Sequence, residues 1–173
     1  MASAERSFLP LSIAVLTVSD TRTEATDRSG AVLIERIEKA GHRRADRAIV
    51  RDDIYAIRAV VSKWIADPAV DVIITTGGTG VTGRDGTPEA IEPLLDKRID
   101  GFGEIFRALS LPEIGTSTIQ SRCLAGVANG TFVFVLPGSM HACETAWDKI
   151  IQAQLDYRTR PCNLAELLPR LKE

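Results

Sequence analysis

Hydrophobic residues in the first half of the chain alternate between short apolar runs and helix-like stripes. Apolar runs predict three strands, over residues 11–18, 45–50 and 70–75. Between them, apolar residues recur at the spacing of a buried helix face over residues 29–40 and 54–65. This alternation is typical of a parallel sheet whose connecting helices cover both of its faces.

Proline and glycine mark two helices of the second half. The run Thr87-Pro88-Glu89 predicts a helix start with Thr87 as its N-cap. A short helix is expected after Gly101-Phe102-Gly103, and Leu111-Pro112 is expected to end it. Residues 114–122 fit a surface helix and a loop equally well.

A β-hairpin is predicted further along the chain. Asn129-Gly130 is a favoured two-residue turn, and it joins apolar segments at 123–128 and 131–136. A long helix is then expected over residues 140–155. Together these elements predict an α/β three-layer sandwich, with a mostly parallel sheet, one antiparallel element and helices on both faces.

Length and composition indicate one domain over residues 1–173, with 1–10 as an N-terminal extension and 156–173 as a C-terminal tail. The formal net charge of −2 provides no positive electrostatic potential to attract the phosphate backbone of nucleic acid. The apolar run at 11–18 is far shorter than the ~20 residues of a membrane helix, and no basic segment precedes it. The 3 cysteines lack metal or redox spacing. We therefore expect a cytoplasmic protein that binds neither nucleic acid nor membrane.

The most informative segment is the stretch at 75–86, Thr-Thr-Gly-Gly-Thr-Gly-Val-Thr-Gly-Arg-Asp-Gly. Its glycines let the backbone turn sharply and approach a ligand, and its threonines add hydroxyl groups. Arg84 is a cation that can grip phosphate, and Asp85 is a carboxylate that can hold a hydrated metal ion. This combination indicates phosphate binding and nucleotide chemistry.

Two common phosphate motifs share the glycine spacing of residues 78–83. A Walker A loop needs Lys-Ser/Thr where this chain has Arg84-Asp85. A dinucleotide fingerprint opens a helix inside the glycine run and belongs to the first βαβ unit, whereas here the helix signals begin at Thr87. Both motifs are therefore disfavoured. The remaining alternative is a plain surface connection, against which the added arginine, aspartate and threonines argue.

Polar residues follow each of the three predicted parallel strands. They are Ser19-Asp20-Thr21-Arg22, Asp52-Asp53 and the glycine-rich stretch. Since ligands of open α/β sheets collect at the carboxyl ends of the strands, all three groups should face one crevice. Asp52, Asp20 or Asp85 could hold magnesium there. For Asp53, helix capping is the better interpretation. For Asp52, capping and metal binding are equally good interpretations. Asp20 could instead close a turn.

These motifs together resemble the molybdopterin-binding, molybdenum cofactor biosynthesis family over nearly the whole chain. The resemblance rests on residues 75–80, Arg84-Asp85, 87–90, 101–104 and 136–138, and residues 18–20, 27–30 and 156–163 are most similar to its protein B branch. It implies a three-layer α/β domain that binds molybdopterin. In adenylyltransferase members the pterin's terminal phosphate attacks the α-phosphate of magnesium ATP and releases pyrophosphate. It also implies a homotrimer or homohexamer.

The resemblance assigns roles to individual residues. It implies that Asp52 and Asp85 are catalytic, with Asp52 binding Mg²⁺ and Asp85 positioning the substrate. Phosphate or the pterin-linked ligand would be cradled by Thr76, Gly77, Gly78, Thr79 and Gly80, with Arg84 beside them. The rest of the crevice would be lined by Ser19, Asp20, Ser117, Pro137 and Gly138.

One segment leaves the activity open. Where dedicated adenylyltransferases have Pro-Gly followed by a further proline and a Lys-Ser pair, this chain reads Pro137-Gly138-Ser139-Met140-His141, as in the protein B branch. The leading hypothesis is a molybdopterin adenylyltransferase. The alternative is a non-catalytic molybdopterin carrier or scaffold of the same pathway. A third class, a nucleotide-regulated protein, would bind ATP or GTP without any pterin.

Overall fold

Six strands form one sheet in the computed structural model, which describes residues 6–173. In chain order they are β1 (Ser12–Val18), β2 (Arg43–Val50), β3 (Val72–Thr76), β4 (Lys97–Arg98), β5 (Leu124–Ala128) and β6 (Thr131–Leu136). The sheet order is β2-β1-β3-β6-β5-β4. The first four strands in that order are parallel, whereas β5 and β4 pair antiparallel at one edge. The predicted mostly parallel α/β sheet is confirmed.

The helices are α1 (Arg28–Lys39), α2 (Ile54–Ala66), α3 (Thr87–Ile91), α4 (Asp100–Ile114), α5 (Met140–Ala146) and α6 (Gln152–Leu155). A π-helical turn, Trp147–Ile151, joins α5 to α6, so the predicted long helix is continuous but locally widened. Shorter 3₁₀ turns occupy Glu92–Leu94, Gly115–Gln120 and Ala165–Arg170.

Two hydrophobic clusters lie on the opposite faces of the sheet. Because side chains alternate along a strand, Ile13 and Val15 of β1 join a cluster with α1, α4 and α5, whereas Ala14 and Leu16 join one with α2 and α3. Both clusters consist of buried residues. The sheet is therefore the middle of three layers, as predicted.

Helix caps place two of the acidic residues. The Asp53 carboxylate accepts a hydrogen bond of 2.7 Å from the Ala56 amide, so the predicted cap of α2 is confirmed. Asp27 caps α1 in the same way, accepting from the Gly30 amide at 2.9 Å. Since Asp53 caps α2, its neighbour Asp52 has no part in that cap.

Two predictions for the second half of the chain are wrong in detail. Gly86, not Thr87, precedes α3 as its N-cap residue, because the Thr87 hydroxyl donates to the Gly77 carbonyl instead. Pro112 lies inside α4 rather than ending it. A proline in the last turn removes only one donor, and the helix ends at Gly115, which has a φ of +60°. Strand β4 was not predicted.

The C-terminal tail packs against the helical layer that contains α1 and α5. In the tail, Ala165 is buried, and Leu164, Leu168 and Leu171 pack against the same cluster. Arg6 forms an ion pair of 2.6 Å with Glu166. Of the predicted N-terminal extension, residues 1–5 lie outside the described residues. Within residues 6–173, no helix is long and apolar enough to cross a bilayer.

Candidate functional site

The polar residues that follow the parallel strands come together at one edge of the sheet. Gly77, directly after β3, donates its amide to the Leu136 carbonyl at the end of β6, at 3.1 Å. After β1 and β2, the Asp52 amide donates to the Asp20 carboxylate at 3.2 Å. Arg84 of the glycine-rich segment reaches Asp20 as well. The loops after all four parallel strands thus contribute to one crevice.

The segment at 77–86, which we call the glycine loop, begins with a backbone turn that needs glycine. Gly77 has a φ of +102° and Gly78 a φ of +65°. A Cβ atom on Gly77 would lie 2.2 Å from the Val18 carbonyl oxygen, and one on Gly78 would lie 2.3 Å from the Thr87 hydroxyl. Thr87 holds this turn, since its hydroxyl donates to the Gly77 carbonyl at 2.8 Å. The close approach therefore fixes the start of the loop.

Asp52 is half-buried after β2, beside two other carboxylates. Its pKa is raised, chiefly because burial disfavours the charged form and also because Asp20 and Asp85 are negatively charged, while Arg84 opposes the shift. A carboxylate that feels two like charges favours the approach of a cation.

Arg84 and Asp20 form an ion pair across the crevice. Their closest atoms, Arg84 Nη2 and Asp20 Oδ2, are 2.5 Å apart, and the Arg84 side chain is 66% exposed. The hydrogen bond from Arg84 lowers the pKa of Asp20. Arg84 therefore already has an anionic partner, which a phosphate group would have to share or displace.

Asp85 is held by the glycine loop itself. Its carboxylate accepts hydrogen bonds from the Thr82 hydroxyl at 2.6 Å and from the Thr82 amide at 2.9 Å. The pKa of Asp85 is lowered, first by the Thr82 hydroxyl, against the opposing effect of burial, and then by the amides of Thr82 and Gly80. Asp85 is thus maintained as an ionised acceptor rather than as an acid.

A cavity of about 410 Å³ lies between the glycine loop and the helices α4 and α5, and we call it the α4–α5 cavity. It is lined by Gly78, Thr79, Gly80, Asp85, Phe106, Ser110, Glu113, Ile114, Gln120, Ser121, Pro137, Gly138, Ser139, His141, Ala142 and Thr145. Its walls combine apolar groups with hydroxyl, amide and carboxylate groups. Both its volume and this composition are typical of a site for a small organic ligand.

Side-chain contacts join α4 to α5 and to the π-helical turn that follows it, beside this cavity. The Glu113 carboxylate lies 2.8 Å from His141 Nε2 and 2.6 Å from Lys149 Nζ. Lys149 first and His141 second lower the pKa of Glu113. These exposed contacts hold the last turn of α4 against α5, which keeps the two helical walls together.

A second cavity, of about 300 Å³, surrounds Asp52, and we call it the Asp52 cavity. It is lined by Asp52, Asp53, Ile54, Tyr55, Gly83, Arg84, Asp85, Gly86 and Glu89. Asp85 lines both cavities, so the two meet at this residue. Ligands in the two cavities would therefore approach one another at Asp85.

The candidate residues from the sequence fall into two groups. Those that line a cavity are Asp52, Gly78, Thr79, Gly80, Arg84, Asp85, Pro137 and Gly138, and Asp20 contacts two of them. The remaining four, Ser19, Thr76, Gly77 and Ser117, line neither cavity.

Those four residues have other contacts or positions. The Ser19 hydroxyl accepts hydrogen bonds from the amides of the next turn. The Thr76 hydroxyl is buried and donates to the Pro137 carbonyl at 2.9 Å. Gly77 is packed against β1, and Ser117 is exposed in the 3₁₀ turn after α4. Their roles in ligand binding stay predictions.

Sequence reasoning missed the cavity walls that come from α4, α5 and the segment between α4 and β5. Phe106 lies in the short helix predicted after residue 103, where nothing marked it as a ligand contact, and Gln120 lies in a segment with no clear pattern. Arg122, which contacts the glycine loop, was also missed. One signal was available: α5 begins two residues after the predicted Pro137-Gly138, so Ser139 and His141 lie close to them in the chain and line the same cavity.

Magnesium is the metal expected at this site, and the side chains present determine whether it could bind. Within residues 6–173, no group of three or more His, Cys, Asp or Glu side chains is arranged to hold a metal ion. Magnesium, however, prefers one or two carboxylates together with water and phosphate oxygens. Asp52, with its raised pKa and its carboxylate neighbours, fits such a partial ligand set.

Comparisons with known proteins agree with the fold. Residues 14–157 match a family model described as "Probable molybdopterin binding domain". The chain is 54% identical over 173 residues to "Molybdenum cofactor biosynthesis protein B" of Escherichia coli strain K12, and the match covers 100% of both chains.

Solved structures give the same result. A crystal structure of a "Molybdenum cofactor biosynthesis protein B" is similar with a TM-score of 0.84 and 43% identity, covering 87% of this chain and 94% of that one. The tungsten cofactor synthesizing protein MoaB from Pyrococcus furiosus is similar with a TM-score of 0.79 and 35% identity, covering 95% and 98%.

Proposed function

Because the chain belongs to the family of molybdopterin-binding, molybdenum cofactor biosynthesis proteins, we propose that it binds molybdopterin and adenylylates its terminal phosphate with magnesium ATP. The observation that carries the proposal is that Asp85 lines both cavities. Group transfer between two substrates needs their reacting atoms to be held side by side. Two cavities that meet at one carboxylate supply that arrangement.

The α4–α5 cavity takes the pterin in this proposal. Phe106, Ile114 and Pro137 offer apolar surface for a flat heteroaromatic ring, and Ser110 and Gln120 offer hydrogen-bonding groups for its polar edge. The pterin's phosphate then points towards the glycine loop. There, backbone amides at positions without side chains can approach it closely.

The Asp52 cavity takes the triphosphate of the nucleotide. Arg84 supplies a cation at this cavity, and Asp52 supplies a carboxylate whose pKa is raised by burial first and by the nearby negative charges second. Asp52 is the residue that would hold magnesium, with Asp20 close behind it. When bound, magnesium neutralises part of the triphosphate charge and withdraws electrons from the phosphorus that is attacked.

The reaction needs positioning more than proton transfer. An oxygen of the pterin's terminal phosphate forms a bond to the α-phosphorus of ATP, the α–β phosphoanhydride bond breaks, and pyrophosphate leaves. The attacking phosphate is already an anion, so Asp85 has no proton to remove from it. Held ionised by Thr82, Asp85 accepts hydrogen bonds from the bound substrates and fixes their orientation.

A second candidate function is a non-catalytic molybdopterin carrier or scaffold. It is favoured by one observation: in the part of the chain from residue 6 to residue 173, no lysine lines either cavity. Phosphoryl-transfer sites commonly use a lysine beside the transferred phosphate. A carrier needs the α4–α5 cavity but makes no use of Asp52.

The decisive experiment mixes the purified protein with molybdopterin, ATP and Mg²⁺ and measures both pyrophosphate and adenylylated pterin. We expect both products in equal amounts. Pterin binding without either product would establish the carrier, whereas binding of ATP or GTP without any pterin binding would indicate a nucleotide-regulated protein.

Variants test the assigned roles. We expect Asp52→Asn and Asp85→Asn each to lower the rate of pyrophosphate release by about 100-fold. Asp53→Asn is the matched control, because it removes a neighbouring charge while asparagine still caps α2. If Asp53→Asn were as inactive as Asp52→Asn, overall charge rather than the Asp52 carboxylate would be responsible.

Two further expectations stay predictions of the same proposal. One is that the protein works in the cytoplasm, where both proposed substrates would be present. The other is that it forms a homotrimer or homohexamer.

A further inference from the structure

Arg122 lies between the 3₁₀ turn after α4 and strand β5, and its side chain reaches the glycine loop from outside it. Its Nε donates to the Gly80 carbonyl at 2.8 Å and to the Thr79 carbonyl at 3.3 Å. Its Nη2 donates to the Asp85 carbonyl at 3.1 Å. Its Nη1 pairs with the Glu89 carboxylate on α3. One guanidinium therefore holds the loop at two separate places and ties it to the following helix.

These contacts decide which way the loop amides point. In a trans peptide the carbonyl and the next amide face opposite directions, so a Thr79 carbonyl that faces Arg122 turns the Gly80 amide away from it. The Asp85 carboxylate lies directly beside Gly80, and the Gly80 amide is one of the groups that lower the pKa of Asp85. Arg122 thus orients a donor to the Asp85 carboxylate while binding the carbonyl of Asp85 itself.

The loop lacks another way of holding these three carbonyls. Among the hydrogen bonds of residues 6–173, no backbone amide donates to the carbonyls of Thr79, Gly80 or Asp85. The loop's own arginine, Arg84, points instead to Asp20. The Arg122 side chain is 31% exposed, which is less than half the exposure of Arg84. Arg122 is therefore the side chain that supports the loop, and Arg84 the one that faces solvent and ligand.

We propose that Arg122 is a positioning residue that fixes the Asp85 carboxylate at the junction of the two cavities by holding the glycine loop through three carbonyl groups. The effect of Arg122 on catalysis rests on the proposed function. The effect of Arg122 on the Asp85 carboxylate does not rest on it, so these two effects can be tested separately.

Arg122→Lys is the informative substitution. A lysine keeps the positive charge, but its single ammonium group cannot reproduce the planar fork that binds several carbonyls and Glu89 at once. We expect kcat for pyrophosphate release to fall about tenfold, because small misplacements of a positioning group lower the rate strongly, while KM for ATP changes less than about twofold. The acid limb of the rate profile should move to higher pH.

Arg107→Lys is the matched control. Arg107 contacts the residues on either side of Arg122, namely the Ser121 carbonyl at 3.4 Å and Cys123 Sγ at 3.8 Å, but it does not contact the glycine loop. It should retain the kinetics and the pH profile of the unaltered protein. If Arg107→Lys and Arg122→Lys lost the same activity, the effect would be a general one of the segment, and the proposal would be overturned.

A measurement that needs no activity decides the positioning role. The titration of the Asp85 carboxyl carbon can be followed by NMR and assigned with Asp85→Asn. Arg122→Lys and Arg122→Gln should both raise the titration midpoint, because the Gly80 amide is no longer oriented and the nearby charge is moved or removed. Near-ultraviolet circular dichroism checks that each variant is folded.

The outcomes separate the two proposals. A midpoint that stays where it is in the unaltered protein, in whichever of the two variants is folded, overturns the role of Arg122. A raised midpoint in a protein that releases no pyrophosphate supports the positioning of Asp85 and removes the adenylyltransferase. A raised midpoint together with a lowered kcat supports both.

Discussion

A substitution at Gly77 is the most direct test of the backbone conformation of the glycine loop. Its φ of +102° is one that residues with a side chain rarely adopt. In addition, an alanine Cβ would lie 2.2 Å from the Val18 carbonyl oxygen, a backbone atom of the interior strand β1 that cannot rotate away. Gly77→Ala therefore combines backbone strain with a clash at the start of the loop.

The expected loss of stability follows from these two effects. The left-handed conformation costs an alanine about 1 kcal/mol. Forcing an extra methyl group against packed backbone costs about 1–3 kcal/mol more. The sum is about 2–4 kcal/mol, which for a domain of this size lowers the melting temperature by roughly 4–16 °C.

Gly83→Ala provides the control within the same loop. A Cβ atom at Gly83 would have no heavy atom within 4 Å, and its φ is not in the left-handed region. This variant should differ from the unaltered protein by less than about 0.5 kcal/mol. Urea unfolding followed by circular dichroism measures both variants, with unchanged m-values as the check on two-state behaviour. Equal stability of the two variants would refute the argument from φ and the Val18 contact.

Two further predictions concern buried polar groups. Burial raises the pKa of Asp27, but hydrogen bonds from the Gly30 amide, Arg47 and Thr17 outweigh it, so the net pKa is lowered. Asp27→Asn should therefore lose about 1–3 kcal/mol near neutral pH, and its deficit against the unaltered protein should shrink as pH falls below about 3.9 and through the lowered folded pKa. A deficit in urea unfolding that is independent of pH would contradict this. Ellman's reagent should titrate exposed Cys162 at once and the two buried cysteines only after denaturation, since burial raises the pKa of Cys143 to about 12; three fast thiols in the native protein would contradict it.

The fold could be predicted where its signals are local. The Asp53 cap lies three residues before the amide that it binds, and the Asn129-Gly130 turn lies between the strands that it joins. Strand β4 carries no such signal, because it is only two residues long and both of them, Lys97 and Arg98, are exposed and charged. Their pairing with β5 depends on residues some thirty positions away, which a local pattern does not contain.

The same distinction applies to the site. The glycine loop could be recognised because its glycines, Arg84 and Asp85 are contiguous in the chain. The opposite wall of the α4–α5 cavity comes from α4 and the turn after it, where periodicity indicates that Phe106 is buried but not what it faces. Arg122 is harder still, because its contacts with the loop span about forty residues and only the folded chain brings them together.

The threonines of the glycine loop show why motif chemistry and site geometry differ. Thr76, just before the loop, and Thr79 and Thr82 within it were expected to offer hydroxyl groups to a ligand. Thr76 instead donates to the Pro137 carbonyl and Thr82 to Asp85, whereas Thr79 lines the α4–α5 cavity. Because the Gly77 amide donates to the Leu136 carbonyl, the donors that remain for a phosphate are the Thr79 hydroxyl and loop amides such as that of Gly78. Because side chains already hold the loop in shape, little conformational entropy is left to lose when a ligand binds, so more of the contact energy appears as affinity.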